Sequence, residues 1–249
     1  MNRPGAALVA AAALAGLLVT GCSSGDGAPT AASPRASASS GGASASPSST
    51  EEEQPSVGDL YKKVRASSLA ASSGRVRGSV TSGGEKVTVD IRGTVDGSNQ
   101  RAKIGIGKGT AEILTVKGRY YMGGDAAFWT EQAGGAAAKA LVGKYVAVSA
   151  KDAKDIGDLN IGKILGEMFD ESELSTLERL TSSVETRTED GRKVWVASDP
   201  SGAEIWVDPA STHLVKIVIT GADAGEVSFS EWDAAKAVTA PPASKVVTP

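Results

Sequence analysis

The chain has 249 residues, a net charge of −3 at pH 7, one cysteine and one histidine. The mildly acidic balance implies no broad basic surface of the kind nucleic acid demands, and no nucleic-acid partner is expected. The single cysteine excludes an internal disulfide and a thiolate metal cluster, so stability has to come from packing, and no cofactor is expected.

The first stretch reads as a secretory signal. Asn2 and Arg3 precede an apolar run over 6–19 that is too short and too rich in small residues for a permanent span. Val19-Thr20-Gly21-Cys22 resembles the lipobox of bacterial lipoproteins, which implies cleavage after Gly21 and a thioether-linked lipid on Cys22. Stable anchoring takes two or more acyl chains, so the mature protein is expected at the outer face of the cell membrane, lipid-anchored and extracytoplasmic. Residues 23–55 are Ser, Ala, Gly, Pro and Thr with hardly a large apolar side chain, a composition expected to stay disordered. A coil of that length reaches about 30–35 Å, enough to lift a domain off the headgroups. Glu51, Glu52 and Glu53 close the tract and are expected to be solvated.

A helix opens the folded part. Ser56 and Asp59 have the spacing of a capping box, and Val57, Leu60, Tyr61 and Val64 form one apolar stripe. Five strand signals follow at 74–81, 86–95, 100–106, 110–116 and 119–122, separated by turn residues such as Asp96-Gly97 and Lys117-Gly118. Val87, Val89 and Ile91 alternate with Thr88, Asp90 and Arg92, as expected of an antiparallel meander with one wet face. Gly105 and Gly107 suggest a bulge in the third strand. The segment 105–110 lacks the Gly-Lys-Ser/Thr triplet of a phosphate loop.

After Phe128-Trp129 the pattern turns helical: 134–142 is Ala-rich, and 145–150 is too short to assign. Ile161, Ile164, Leu165, Met168 and Phe169 recur at helical spacing, with Gly162 and Gly166 among them. Gly there marks close packing or a lid that must move. A further helix is expected from Asp170, carrying Leu174, Leu177 and Leu180. Strand signals return at 183–188, 193–198, 203–207, 214–220 and 225–232, with hairpin turns at Asp190-Gly191 and Pro200-Ser201-Gly202. In the fourth of these, Val215, Ile217 and Ile219 read as one face, and Leu214 and Val218 as the other.

The predicted fold class is α+β: a curved antiparallel half-barrel of about ten strands covered by helices. It occupies 56–240, after a signal peptide (1–21) and a lipidated linker (22–55), and before a flexible tail (241–249). This order, with Gly118-Arg-Tyr-Tyr-Met, Phe128-Trp129, Glu204-Ile-Trp-Val-Asp208 and Val227-Ser-Phe-Ser-Glu-Trp232, resembles the LppX/LprG family of actinobacterial lipoproteins, relatives of the LolA/LolB carriers. The resemblance implies an apolar cavity that receives the acyl chains of a lipid or lipoglycan. The helical stripe Ile161, Ile164, Leu165, Met168 and Phe169 is the candidate lining at its mouth, with Ile91, Ile104 and Trp129 as walls on the sheet. Aromatic residues make up only 4% of the chain, which favours a cavity that is small or filled by its own side chains.

Catalysis finds no support in the sequence. His213 reads as an exposed turn residue, and Asp170, Glu171 and Glu173 as helix-start charges. A non-enzymatic monomer is expected, either a membrane-tethered binder of an amphiphile or a tethered interaction protein with a filled core.

Overall fold

The computed structural model describes residues 54–149, 151–153, 159–170, 175, 178–179 and 183–248. The signal peptide, Gly21, Cys22 and the linker up to residue 53 lie outside the described residues, as does most of the helix expected from Asp170.

Helix α1 spans Val57–Ala70 and buries Leu60, Tyr61, Val64 and Ser68. The Asp59 N–H donates to Ser56 Oγ at 3.2 Å, as expected of a cap. The reciprocal half differs: the Ser56 hydroxyl itself donates to Asp59 Oδ2 at 2.7 Å. Asp is one methylene shorter than the usual Glu.

The first meander contains β1 (Ser73–Ser82), β2 (Glu85–Thr94), β3 (Asn99–Ile106), β4 (Gly109–Val116) and β5 (Arg119–Gly124). Helices α2 (Ala126–Ala133) and α3 (Gly135–Leu141) and strand β6 (Tyr145–Val148) follow, then α4 (Ile161–Met168). The second meander runs through β7 (Ser183–Glu189), β8 (Arg192–Ser198), β9 (Glu204–Val207), β10 (Leu214–Ile219) and β11 (Gly225–Ser230), and β12 (Val246–Val247) ends the fold. The strands make one open sheet of twelve in the order β12-β6-β5-β4-β3-β2-β1-β11-β10-β9-β8-β7. The meanders meet at its centre, where β1 and β11 pair antiparallel with Val76 opposite Phe229.

The alternation places Val87, Val89, Ile91, Ala102 and Ile104 inside and Arg101 and Lys103 outside. On the convex face Arg75 holds Asp90 through Nε and Nη2 at 2.9 and 2.7 Å. That bond keeps the Asp90 carboxyl below the usual carboxylate range.

The sheet departs from the sequence reading in three places. Gly105 does not bulge: β2 and β3 stay in register, with Thr88 opposite Gly105 and Val87 opposite Ile106. Gly105 is instead a close approach, since a Cβ there would collide with Thr88 Oγ1, and Gly107 sits in the following turn at φ +57°. The bulge lies between Leu214 and Lys216, where β10 slips against β9. It carries Leu214 to the inner face, so Leu214, Ile217 and Ile219 are buried together while Val215 is only half-buried.

The third departure is the tail. Asn99 grips Val238, its Nδ2 donating to the Val238 carbonyl at 2.9 Å and its Oδ1 accepting from the Val238 N–H at 2.7 Å. The segment 236–242 lies across the convex face above buried Leu114, and β12 then pairs in parallel with β6. Residues 241–248 are thus part of the fold rather than a free tail, because they cover an apolar side chain and an open sheet edge.

Ile91 is fully buried and Lys103 exposed on adjacent paired strands. Ile91→Asp is therefore expected to unfold the domain by burying an unpaired carboxylate, at a cost of several kcal/mol. Lys103→Ala is expected to melt within about 0.5 kcal/mol of wild type. Chemical denaturation of the two variants checks the assignment of faces.

Candidate functional site

Helix α4 carries the stripe singled out as a cavity lining. Asn160 caps it, accepting from the Lys163 N–H at 2.8 Å, and its Gly162 N–H donates to the Val95 carbonyl, also at 2.8 Å. A Cβ on Gly162 would stand 2.8 Å from that carbonyl, so this glycine serves close packing against the sheet. Ile161, Leu165 and Phe169 are fully inaccessible, and Ile164 and Met168 are buried with them. Phe169 lies 6.4 Å from Tyr61 of α1, and Arg65 Nε donates to the Phe169 carbonyl at 2.9 Å. Between Ile164 and Met168 and the sheet residues Val76, Val89, Ile217 and Phe229 there is only about 10 Å³ of space, no more than one water needs. Ile91 belongs to the same filled core. The stripe therefore plugs the concave face instead of lining a mouth, because all its apolar side chains are used against α1 and the sheet.

Open apolar space lies further along the same face. Ile104, Ile106, Ala111, Ile113 and Met122 of β3, β4 and β5 form its floor, and Phe128, Trp129 and Ala133 of α2 form its roof. The crevice holds about 200 Å³, below the roughly 300–1,000 Å³ of sites that enclose a drug-sized ligand. Glu131 and Gln132 are the polar groups at its boundary. Of the eight predicted lining residues, Ile104 and Trp129 meet here. The other six do not. Trp129 arrives from a helix rather than from the sheet.

Asp125 puts it there. Its carboxylate caps α2, accepting from the Phe128 N–H at 2.8 Å, and also accepts from the Thr110 N–H of β4 at 2.9 Å. One side chain thus starts the helix and fixes it to the sheet rim. The close approach is made possible by Gly109, where a Cβ would lie 2.9 Å from Phe128 Cα. Phe128 and Trp129 stack edge to face at 4.9 Å. Trp129 is buried, and its Nε1 has no hydrogen-bond partner among the described residues. Helix α3 packs chiefly on α2 and buries only Ala138, while Val142 at its end is an exposed large apolar side chain.

The remaining sequence candidates lie elsewhere. His213 is half-buried and stacks on Trp232 at 5.0 Å instead of standing in solvent. Among the described residues no group of three His, Cys, Asp or Glu side chains is placed to hold a metal ion, and no helix is long and apolar enough to cross a membrane.

No family model and no curated protein matches the sequence. Solved structures similar to the chain include LprF from Mycobacterium bovis, 16% identical, with 76% of this chain and 97% of LprF covered at a TM-score of 0.45. The Mycobacterium tuberculosis lipoprotein LppX is 15% identical, with 73% of this chain and 97% of LppX covered at a TM-score of 0.32. A conserved protein from Thermus thermophilus is 8% identical over 78% of this chain and 100% of its own, with a TM-score of 0.36. LppX, the family name drawn from the sequence, is thus among the structures the chain is similar to.

The filled space around α4 sets a first test of the site. Leu165→Trp inserts bulk where none fits and is expected to lower stability by about 1–3 kcal/mol, read from denaturant midpoints. The crevice under α2 does not include Leu165 and is expected to keep its shape in the variant.

Proposed function

We propose that the protein is an extracytoplasmic, lipid-anchored binder of amphiphiles, taking part of one acyl chain into the crevice between α2 and strands β3, β4 and β5. The observation that carries this reading is an open space with a mainly apolar lining on a concave face that, under α4, is filled to the size of a water. Each methylene that leaves water there gains about 0.8 kcal/mol, so partial entry of a single chain supports measurable affinity. The volume suits a chain end rather than a whole lipid. Entry fits the α2–α3 hairpin: α3 leans on α2, so a small outward shift of the pair widens the crevice without disturbing the core under α4.

Anchoring at Cys22 is the second half of the proposal. It rests on the apolar run ending in Gly21-Cys22 and on the absence of any other cysteine in the chain. The competing reading, a tethered interaction protein, draws on the packing of α4, where the predicted cavity is already occupied by protein.

Two experiments test these halves separately. Ala111→Phe adds a ring to the floor of the crevice and is expected to abolish binding of a fluorescent fatty acid while leaving the melting temperature nearly unchanged. Absence of fatty-acid binding by the wild type would favour the interaction protein. Cys22→Ala is expected to leave the protein unlabelled by a clickable fatty acid fed to the producing cells and to release it from the membrane fraction. Unchanged membrane retention would overturn the anchor.

A further inference from the structure

The convex face concentrates positive charge in a chain whose total is negative. Two adjoining hollows of about 390 and 410 Å³ share Glu112, Tyr145 and Lys245 and run from the start of α2 to the crossing segment 236–242. Six cations line them, namely Arg92, Arg101, Lys103, Lys144, Lys236 and Lys245, against two carboxylates.

Both carboxylates are already engaged. Glu112 takes Arg101 on one oxygen and the Tyr145 hydroxyl on the other, the latter at 2.8 Å. Burial and the Glu112 contact push the Tyr145 phenol up to about 12, so it remains a donor at neutral pH. Asp125 is occupied by the Phe128 and Thr110 N–H groups. Outside the hollows, Glu231 Oε2 answers Arg92 Nε at 2.6 Å. The arginines therefore have acidic partners, whereas Lys103, Lys144, Lys236 and Lys245 have no ion pair among the described residues. All four lysines are exposed. The wall they share is held in place by the Asn99 grip on Val238 and by β12 on β6, so the groove does not depend on a ligand to form.

We propose that this groove binds a linear polyanion bearing phosphate groups, a site separate from the acyl crevice on the opposite face of the sheet. An extended chain can lie along the joined hollows and meet the lysines in turn. Lysine ammoniums are point charges that suit tetrahedral phosphate oxygens, and the planar forks that would select carboxylates are engaged with carboxylates of the protein itself.

The test uses the full chain in neutral detergent micelles, titrated with a linear inorganic polyphosphate at several salt concentrations. Binding is expected to weaken with salt. Replacing Lys144, Lys236 and Lys245 together by Gln is expected to lower affinity at least tenfold and to reduce the salt slope by about 2, given about 0.7 for each cation removed. The thermal melt of this triple variant is expected to match wild type, since all three side chains are exposed. Ala111→Phe is expected to leave polyphosphate binding intact, so failure of the acyl reading and failure of this one are distinguishable. The proposal is overturned by no binding at low salt, by equal affinity of the triple variant, or by tighter binding of a polyuronate. It is also overturned if a soluble short-chain anionic phospholipid displaces the polymer at matched phosphate concentration.

Discussion

A sheet bent into half a barrel must hide its inner face, and this chain does so without a cross-link. Helices α1 and α4 supply the cover, and neither is independent of the sheet. Helix α4 has eight residues, too few to persist in water, and its helicity is maintained by the burial of Ile161, Ile164, Leu165 and Met168. The sheet in turn relies on α4, because Val76, Val89, Ile217 and Phe229 would otherwise face solvent. Each such side chain contributes about 1.5–3 kcal/mol on burial, so the two layers form together or not at all. Among the described residues, space survives where the cover changes from α4 to α2. There Phe128, Trp129 and Ala133 roof five apolar sheet residues and do not fill the volume between them.

The same division explains what could be read from the residues. Strand positions were legible because period two is a strong signal on a sheet with one wet face, as in Val87, Val89 and Ile91. Their partners across the sheet were not. Nothing local in 74–81 or 225–232 announces that β1 and β11 pair. The bulge at Leu214 was hidden for a related reason: it depends on the register with β9, and glycine, the usual marker, is absent there while Gly105 supplied a misleading one. The filling of the cavity was illegible because an apolar helical stripe has the same pattern whether it lines a space or plugs it. By contrast, the roof of the crevice had a readable signal in Asp125, which stands three residues before Phe128 at cap spacing. The ordered C-terminal segment had one too, since the unbroken run Ile113-Leu114-Thr115-Val116 requires cover on both faces.

The two faces of the sheet thus divide into unlike environments. The concave side is apolar, and among the described residues a crevice lies open on it under α2. The convex side is a lattice of charges in which Arg75, Arg92 and Arg101 stand directly opposite one another on β1, β2 and β3, an arrangement tolerated because Asp90, Glu231 and Glu112 are interleaved with them. Since neighbouring side chains along a strand point to opposite faces, apolar and charged surfaces are separated by no more than the thickness of the backbone.

The central β1–β11 seam also determines how such a chain can mature. Strand β1 is made early, whereas its partner on one side is nearly the last strand to emerge, so the first meander waits with an unpaired edge at what will become the middle of the sheet. Closing so long a loop belongs to the slow, non-local class of folding steps. Meanwhile that waiting edge is a template for association with other chains, and Arg75 and Arg77 on β1 are the kind of charged residue that keeps such an edge from pairing with the wrong strand. Protection of that edge by a holdase would then matter more for the yield of this protein than the stability of its finished fold.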